Sequence, residues 1–401
     1  MSAMQSRLAA PAAGALLAAV ALVTTCAASA RPLPPKTDTS RAAHPLAVGS
    51  PGTVAFNNPL GDHEQQYALV DEANRAIEQT PPGATIRLAE YSFAMPSTAT
   101  ALIAAHDRGV AVQVVVDDHS ARWHSVRRLL SALGKDTAAT SFVKVCHGSC
   151  RGGRGNQHAK FVTFSRTGDR RDVSMVGSLN FTNFNARVQW NDLYTTSDPT
   201  LFAQLADLFA LMSLDQPQPL LRLPSAGDGL QAAVSPVPGP PSRSDDPVAQ
   251  RLAKVRCTGA TAGAGTADGH TIVRVAMHAW NGPRGIRLAH QVGGLERDGC
   301  DVRVLYGIGM GRRVAHILRA TGVPTRDSGH DGRFVHEKVM VLSGVIGDAT
   351  DAEYVWTGSH NWSDRSLRND ELILRVEGRR IVAAYLHNFH RMWALTRPPR
   401  G

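Results

Sequence analysis

Past its first 30 residues the chain has no apolar run long enough to span a bilayer, which takes about 20 predominantly apolar residues in a row. That excludes a later membrane-spanning helix. Aromatic residues make up 6% of the chain, and no basic stretch interleaved with aromatics occurs, so the usual sequence mark of a base-stacking surface is missing. Metal-ligand spacing is missing too: Cys146 and Cys150 form a Cys-x-x-x-Cys without the second pair that a zinc site needs. Acid is in short supply, with 34 Asp and Glu against 43 Lys and Arg, a formal net charge of +9. A basic chain suits anionic partners, phospholipid headgroups or nucleic acid, and does not choose between them.

What is present begins with an export pattern. Arg7 gives a positive start, residues 8–23 are apolar and rich in Ala and Leu, and Ala28-Ser29-Ala30 is a small-residue cleavage site. Residues 1–30 are therefore expected to be a signal peptide, 31–52 a disordered leader, and the protein secreted into the extracellular space. Of the 5 cysteines, Cys26 falls in the signal, leaving Cys146, Cys150, Cys257 and Cys300. An even number in an exported chain reads as disulfides. Three pairings are open, and Cys146 with Cys150 and Cys257 with Cys300 are favoured because each pair then lies inside one half.

The chain repeats itself. Residues 84–117 run from a β-type stretch (ATIRLAEYSF) through a helical pattern (TALIAAHDRG) into an apolar run (VAVQVVVDD), and residues 271–306 repeat that order as TIVRVAMHAW, GIRLAHQVGGLERDG and CDVRVLYG. Strand, helix and strand with near-continuous apolar strands predict a parallel βαβ crossover in each half. Further helices are expected at 64–77 and 199–212 in the first half, and at 248–255 and 380–395 in the second. Residues 53–223 and 248–401 thus read as homologous halves. Between them, 224–247 holds SPVPGPPSRSDDP and reads as a linker, while 259–269 reads as a flexible Gly/Ala/Thr loop.

A matched pair of motifs carries the chemistry. The first half has His158-Ala159-Lys160, the apolar FVTF and then Gly177-Ser178-Leu179-Asn180; the second has His336-Glu337-Lys338, VMVL and then Gly358-Ser359-His360-Asn361. In a strand, residues i and i+2 point to one face, so each His stands beside its Lys. A second strand ending in Gly-Ser-x-Asn then brings a hydroxyl and an amide to the same place. Arg151 and Arg154, in the glycine-rich segment before His158, are candidate liners of the entrance. Phe181 and Trp362 fit core packing better than substrate contact. His106, His119, His124, His278 and His316 lack ligand spacing and are given no role, and His360 is not made catalytic by its place in the motif.

This arrangement resembles the phospholipase D superfamily, secreted bacterial members included, whose chains carry two copies of His-x-Lys-x4-Asp followed by Gly-Ser-x-Asn. The resemblance runs from about residue 55 to about residue 393. It implies an α/β fold of two homologous βαβ-containing halves, with mixed, largely parallel sheets packed around a pseudo-twofold axis. It also implies a single site in which His158 is the nucleophile, His336 the acid, and Lys160 and Lys338 meet the phosphoryl charge. Ser178, Asn180, Ser359 and Asn361 would bind phosphate, and Asp192 and Glu371, with Asp370 as an alternative, would orient the imidazoles. No metal or cofactor is implied. The chain departs from the family at the motif Asp, replaced by Ser165 and Ser343, which leaves that position's hydrogen bonds open.

Three functions are compatible with this reading: a secreted phospholipase D acting on glycerophospholipids, a secreted metal-independent nuclease, and an inactive phosphate- or lipid-binding protein. Both His-x-Lys pairs being intact disfavours the third, and the scarcity of aromatics favours lipid over nucleic acid. A monomer with a phosphodiester substrate and peripheral membrane contact is the expectation.

Overall fold

The structure is a computed structural model and describes residues 52–217, 229–235, 246–329 and 332–396. The expected signal peptide, the leader up to residue 51 and most of the expected linker lie outside the described residues.

The first half runs β1 (Thr53–Phe56), α1 (His63–Glu78), β2 (Thr85–Glu90), α2 (Pro96–Asp107), β3 (Ala111–Asp117), α3 (His124–Leu133) and β4 (Phe142–Cys146). It continues through β5 (Phe161–Thr167), β6 (Arg170–Gly177), α4 (Asn183–Val188), β7 (Gln189–Trp190), β8 (Asp192–Thr196) and α5 (Pro199–Ser213). The second half opens with β9 (Gln231–Ser235), α6 (Pro247–Leu252), β10 (Val255–Arg256), β11 (Ile272–Trp280), α7 (Gly282–Arg297), β12 (Asp301–Met310) and α8 (Arg312–Ala320). It ends with β13 (Thr325–Asp327), β14 (Phe334–Val335), β15 (Lys338–Ile346), β16 (Ala349–Gly358), β17 (Glu371–Glu377) and α9 (Arg379–Leu395).

The four helices expected outside the βαβ units form within three residues of their predicted ends, and three of them begin at an Asp cap. Asp62 accepts from the Gln65 N–H at the start of α1, and Asp198 caps α5 ahead of Pro199. The β3 sequence AVQVVVD is buried along most of its length, as a parallel strand covered on both faces requires.

The two main sheets have the same strand order. The first is β1-β8-β6-β5-β2-β3-β4 and the second β9-β17-β16-β15-β11-β12-β13. Each is mixed: β2-β3-β4 and β11-β12-β13 run parallel, and the other neighbours antiparallel. The matching order corrects one expectation. Residues 231–235, read as linker for their Pro- and Ser-rich surroundings, form β9, the counterpart of β1, and Asp246 caps α6. A five-residue edge strand of small residues has too weak a period to stand out beside so much proline.

Among the described residues, burial separates three cores. One lies under α1–α3, another under α6–α8, and the third is shared, built from both sheets together with α5 and α9. Contacts across it come in reciprocal pairs: Val335 pairs with Trp190 in the short β14–β7 ladder, and Gln157 bridges Asp370. Likewise the His336 N–H donates to the Trp190 carbonyl and the His158 N–H to that of Asp370, both at 3.0 Å. Pseudo-twofold packing produces such reciprocity.

Both favoured disulfides are present, Cys146–Cys150 in the loop ahead of His158 and Cys257–Cys300 across 43 residues. Loop-closure entropy assigns the longer one about 4 kcal/mol and the very short one less. Replacing Cys257 and Cys300 together by Ser should therefore lower the urea-unfolding free energy by about 4 kcal/mol; a loss below about 1 kcal/mol contradicts the loop argument.

Candidate active site

The two His-x-Lys motifs enter β5 and β15 from the shared core, so all four side chains are buried there, each below 10% exposed. Each lysine Nζ donates to the carbonyl of its own histidine, Lys160 to His158 at 2.8 Å and Lys338 to His336. The glycines that open the second motifs explain themselves by close approach. A Cβ on Gly177 would run into the Asp192 carbonyl oxygen, and one on Gly358 into that of Leu372.

Each imidazole is held by the opposite half. His158 Nδ1 lies 2.8 Å from Glu371 Oε2, and that carboxylate also accepts from Ser359 Oγ at 2.6 Å and from Asn369 Nδ2 at 3.0 Å. His336 Nδ1 lies 2.9 Å from Asn191 Oδ1. Both Nδ1 atoms are engaged, so Nε2 is the nitrogen left for chemistry in each ring.

Glu371 thus stands where expected and Asp192 does not. The register gives the reason: Ser178 receives its backbone contact at Asp192 and Ser359 at Leu372, so the residue equivalent to Glu371 is Asn191. A shift of one residue along a strand turns a side chain to the other face. Asp192 instead accepts from Ser178 Oγ at 2.6 Å, from Tyr385 OH at 2.7 Å and from Thr357 Oγ1, fastening the two halves together. Asp370 accepts from the Ser149 hydroxyl and the Cys150 N–H and pairs with buried Arg151 at 3.3 Å. It docks the disulfide loop on the second half.

Ser178 and Ser359 donate their single hydroxyl protons to Asp192 and Glu371, so they brace carboxylates and leave phosphate to other groups. Asn180 Oδ1 accepts from the Ser92 N–H at 3.3 Å and Asn361 Oδ1 from the Ala279 N–H at 3.2 Å, which keeps both Nδ2 groups as donors for an anion. Arg151 is no entrance residue, since it is 1% exposed and donates to the Ser235 carbonyl; Arg154 is exposed. Phe181 and Trp362 are core, packed on Phe93 and Trp280. Ser165 and Ser343 each accept one backbone N–H, from Thr85 and Gly265, both at 2.8 Å. They tie down the entries to the βαβ units, away from the histidines.

Burial favours the neutral form of both imidazoles. Burial, with Lys160 adding to it and Glu371 opposing, brings His158 down to about 4. Burial and Lys338 hold His336 well below the ordinary histidine value. Burial alone would raise the Glu371 carboxyl, but the His158 imidazole and the Ser359 hydroxyl hold it down at about 2. Burial lowers Lys160 to about 8, opposed by Glu90, and pulls Lys338 well down with help from Lys160. A phosphoryl anion between Lys160 and Lys338 would relieve their mutual repulsion and favour their charged forms.

Several residues of the site escaped the sequence reading. Tyr91 packs against His158 at 4.7 Å between ring centroids, and His278, to which no role was given, packs against His336 at the same distance. On the far side of Tyr91 stands His119, whose Nδ1 bonds Asp117 and whose Nε2 lies 2.9 Å from Ser92 Oγ. The clue lay in the repeat: aligned, AEYSF and AMHAW put Tyr91 opposite His278, at the carboxyl ends of β2 and β11.

The comparisons with known proteins agree with this geometry. A family described as "Cardiolipin synthase, PLD-like domain" matches residues 75–212 and 270–393, more than half of the chain. No curated protein matches it in sequence. Among solved structures it resembles phosphatidylserine synthase of Haemophilus influenzae Rd KW20, with TM-score 0.57 and 11% identity, covering 86% of this chain and 87% of that one. It also resembles polyphosphate kinase of Porphyromonas gingivalis, with TM-score 0.58 and 16% identity over 84% of this chain; that match covers 46% of the kinase, so the chain spans about half its length. A phospholipase D family member of Salmonella typhimurium matches at 21% identity over 40% of this chain and 92% of that one, with TM-score 0.29. These structural likenesses concern the fold. With the family matched once on each half, around both His-x-Lys pairs, the chain belongs to the phospholipase D superfamily of phosphodiester-acting enzymes.

Proposed function

We propose that the protein is an exported phospholipase D-type enzyme that hydrolyses the distal phosphodiester of glycerophospholipids to phosphatidic acid and an alcohol. The observation that carries the lipid reading is an apolar rim. Five large hydrophobic side chains are exposed among the described residues, and three of them, Leu60 (48%), Phe184 (58%) and Ile308 (65%), surround the segment leading to His336. Phe184 touches Phe334, which stacks on His278; the Pro59 carbonyl accepts from Arg333; and Ile308 follows Gly307, where a Cβ would run into the Val335 and His278 carbonyl oxygens. Exposed apolar side chains gathered at a site entrance suit an aggregated lipid. The two disulfides support export, and no helix among the described residues is long and apolar enough to cross a membrane.

In the first step, once the bound phosphodiester anion has drawn a solvent proton onto His336 Nε2, His158 Nε2 attacks phosphorus in line, the bond from phosphorus to the headgroup oxygen breaks, and His336 Nε2 gives that oxygen its proton. Water then attacks the phosphohistidine, His336 takes the proton, and His158 leaves neutral. The unequal partners motivate this assignment. The Glu371 carboxylate steadies the cationic ring of a phosphohistidine, whereas the uncharged Asn191 amide leaves His336⁺ a stronger acid. Lys160, Lys338, Asn180 and Asn361 meet the phosphoryl oxygens.

A nuclease is the second reading, favoured by the rings of Tyr91, His119 and Trp123 in succession beside His158. Phosphatidylcholine–phosphatidylglycerol vesicles and single-stranded DNA, offered side by side in excess chelator, separate the two. Vesicle hydrolysis is expected to continue in chelator and to drop about tenfold or more in the double variant Leu60→Ala/Phe184→Ala, with dispersed short-chain lipid unaffected. Cleavage of DNA alone, or loss of all activity in chelator restored by a divalent ion, contradicts the proposal.

A pH profile tests the histidine roles. Glu371 raises His158, so Glu371→Gln lets that imidazole fall below its value of about 4. The acid limb of kcat/KM then moves to lower pH while the rate drops about 100-fold or more. An unchanged rate and profile would show that the Glu371 contact is idle.

A further inference from the structure

An open cleft lies beside the catalytic pocket. It spans about 700 Å³ between the carboxyl end of β12 and the face of α8, and the exposed side chains of Arg312, Arg313, His316 and Arg319 line it against a single acid, Asp327. Tyr306, Ile308 and Met310 form its apolar wall. Its floor is next to the site: Tyr306 pairs with Met277, Met277 with Lys338, and Gly307 abuts the carbonyls of His278 and Val335.

Three arginines crowd this short helix. Arg312 and Arg319 recur two turns apart on one face of α8, with Arg313 beside Arg312 and His316 between them. Arg312 and Arg313 occupy the first turn of that helix, whose dipole favours anions, and its first turn holds no acid. Among the described residues, none of the three arginines makes an ion pair. An anion in the cleft would relieve the mutual repulsion and the unfavourable end of the dipole together.

We propose that this cleft is a second anion subsite, which holds a phosphate carried on the leaving alcohol of the substrate. The inference rests on the phospholipase reading and on His336 as proton donor: in-line attack by His158 directs the leaving oxygen toward His336, and the cleft lies on that side, past His278. The preferred substrate is then a phospholipid whose headgroup ends in a second phosphate, with Ile308 and Met310 beside its carbon chain. The next phosphate of a nucleic-acid strand would use the same chemistry, but an apolar wall continuous with the exposed rim favours lipid.

The test uses dispersed short-chain lipids, so that binding to a charged surface plays no part. Phosphatidylglycerol phosphate and phosphatidylcholine with identical acyl chains are compared on the intact protein and on Arg312→Gln/Arg313→Gln/Arg319→Gln, with bis-(p-nitrophenyl) phosphate as a control for the catalytic pocket. The subsite predicts that the intact protein prefers the doubly phosphorylated lipid. It also predicts that the variant loses about 10- to 100-fold in kcat/KM on that lipid, with little change on phosphatidylcholine or the control. Glycerol 3-phosphate should inhibit the intact protein more strongly than the variant. Equal loss on both lipids, or no headgroup preference in the intact protein, overturns the subsite while leaving the phospholipase reading standing. Failure to cut either lipid while the control is hydrolysed removes the phospholipase reading itself, and loss of DNA cleavage in the variant then makes the cleft a strand contact.

Discussion

Two hydrogen bonds that cross between the halves are what the site depends on. His158 is oriented by Glu371 and His336 by Asn191, and each pair joins a motif of one repeat to a strand of the other. A half alone would carry a His, a Lys and an Asn but no partner to fix its tautomer. The neighbouring contacts repeat the pattern, since each motif histidine also gives its backbone N–H to a carbonyl of the opposite half. Catalytic geometry and the docking of the halves are therefore one structural fact.

The cost of that arrangement is buried charge. Two lysines, two histidines and several carboxylates share a pocket where unit charges 4 Å apart interact with about 4 kcal/mol at an effective dielectric near 20. The protein disperses the charge on the acid side by hydrogen bonding: Asp192 accepts from three hydroxyls, two of them from the second half, and Glu371 from a hydroxyl and an amide besides His158. On the basic side, burial lowers both lysines, and the lysine–lysine repulsion is left for a phosphoryl group to relieve. Two lysines held this close are pre-organised to bind an anion.

Much of this was legible in the residues. The βαβ units, the capped helices and the His-x-Lys and Gly-Ser-x-Asn motifs have strong local signals, and the structure brings those motifs together as the repeat required. Asn191 was missed because a carboxylate at Asp192 looked like the better partner, and residue type cannot reveal a one-residue register. Tyr91 and His278 were missed because neither belongs to a motif; only alignment of the two repeats puts them at equivalent strand ends. The strand at 231–235 was hidden by its proline-rich neighbours, and the arginine cleft by distance, since α8 reaches the site only once β12 is laid beside β11.

The most direct test of the account is to find the covalent intermediate. His336→Ala, given a p-nitrophenyl phosphodiester whose leaving group needs no proton, should accumulate a phosphoryl adduct after acid quench, and peptide mass spectrometry should place it on His158. An adduct on His336 of the intact enzyme, or active variants of both histidines with no adduct on either, would contradict it.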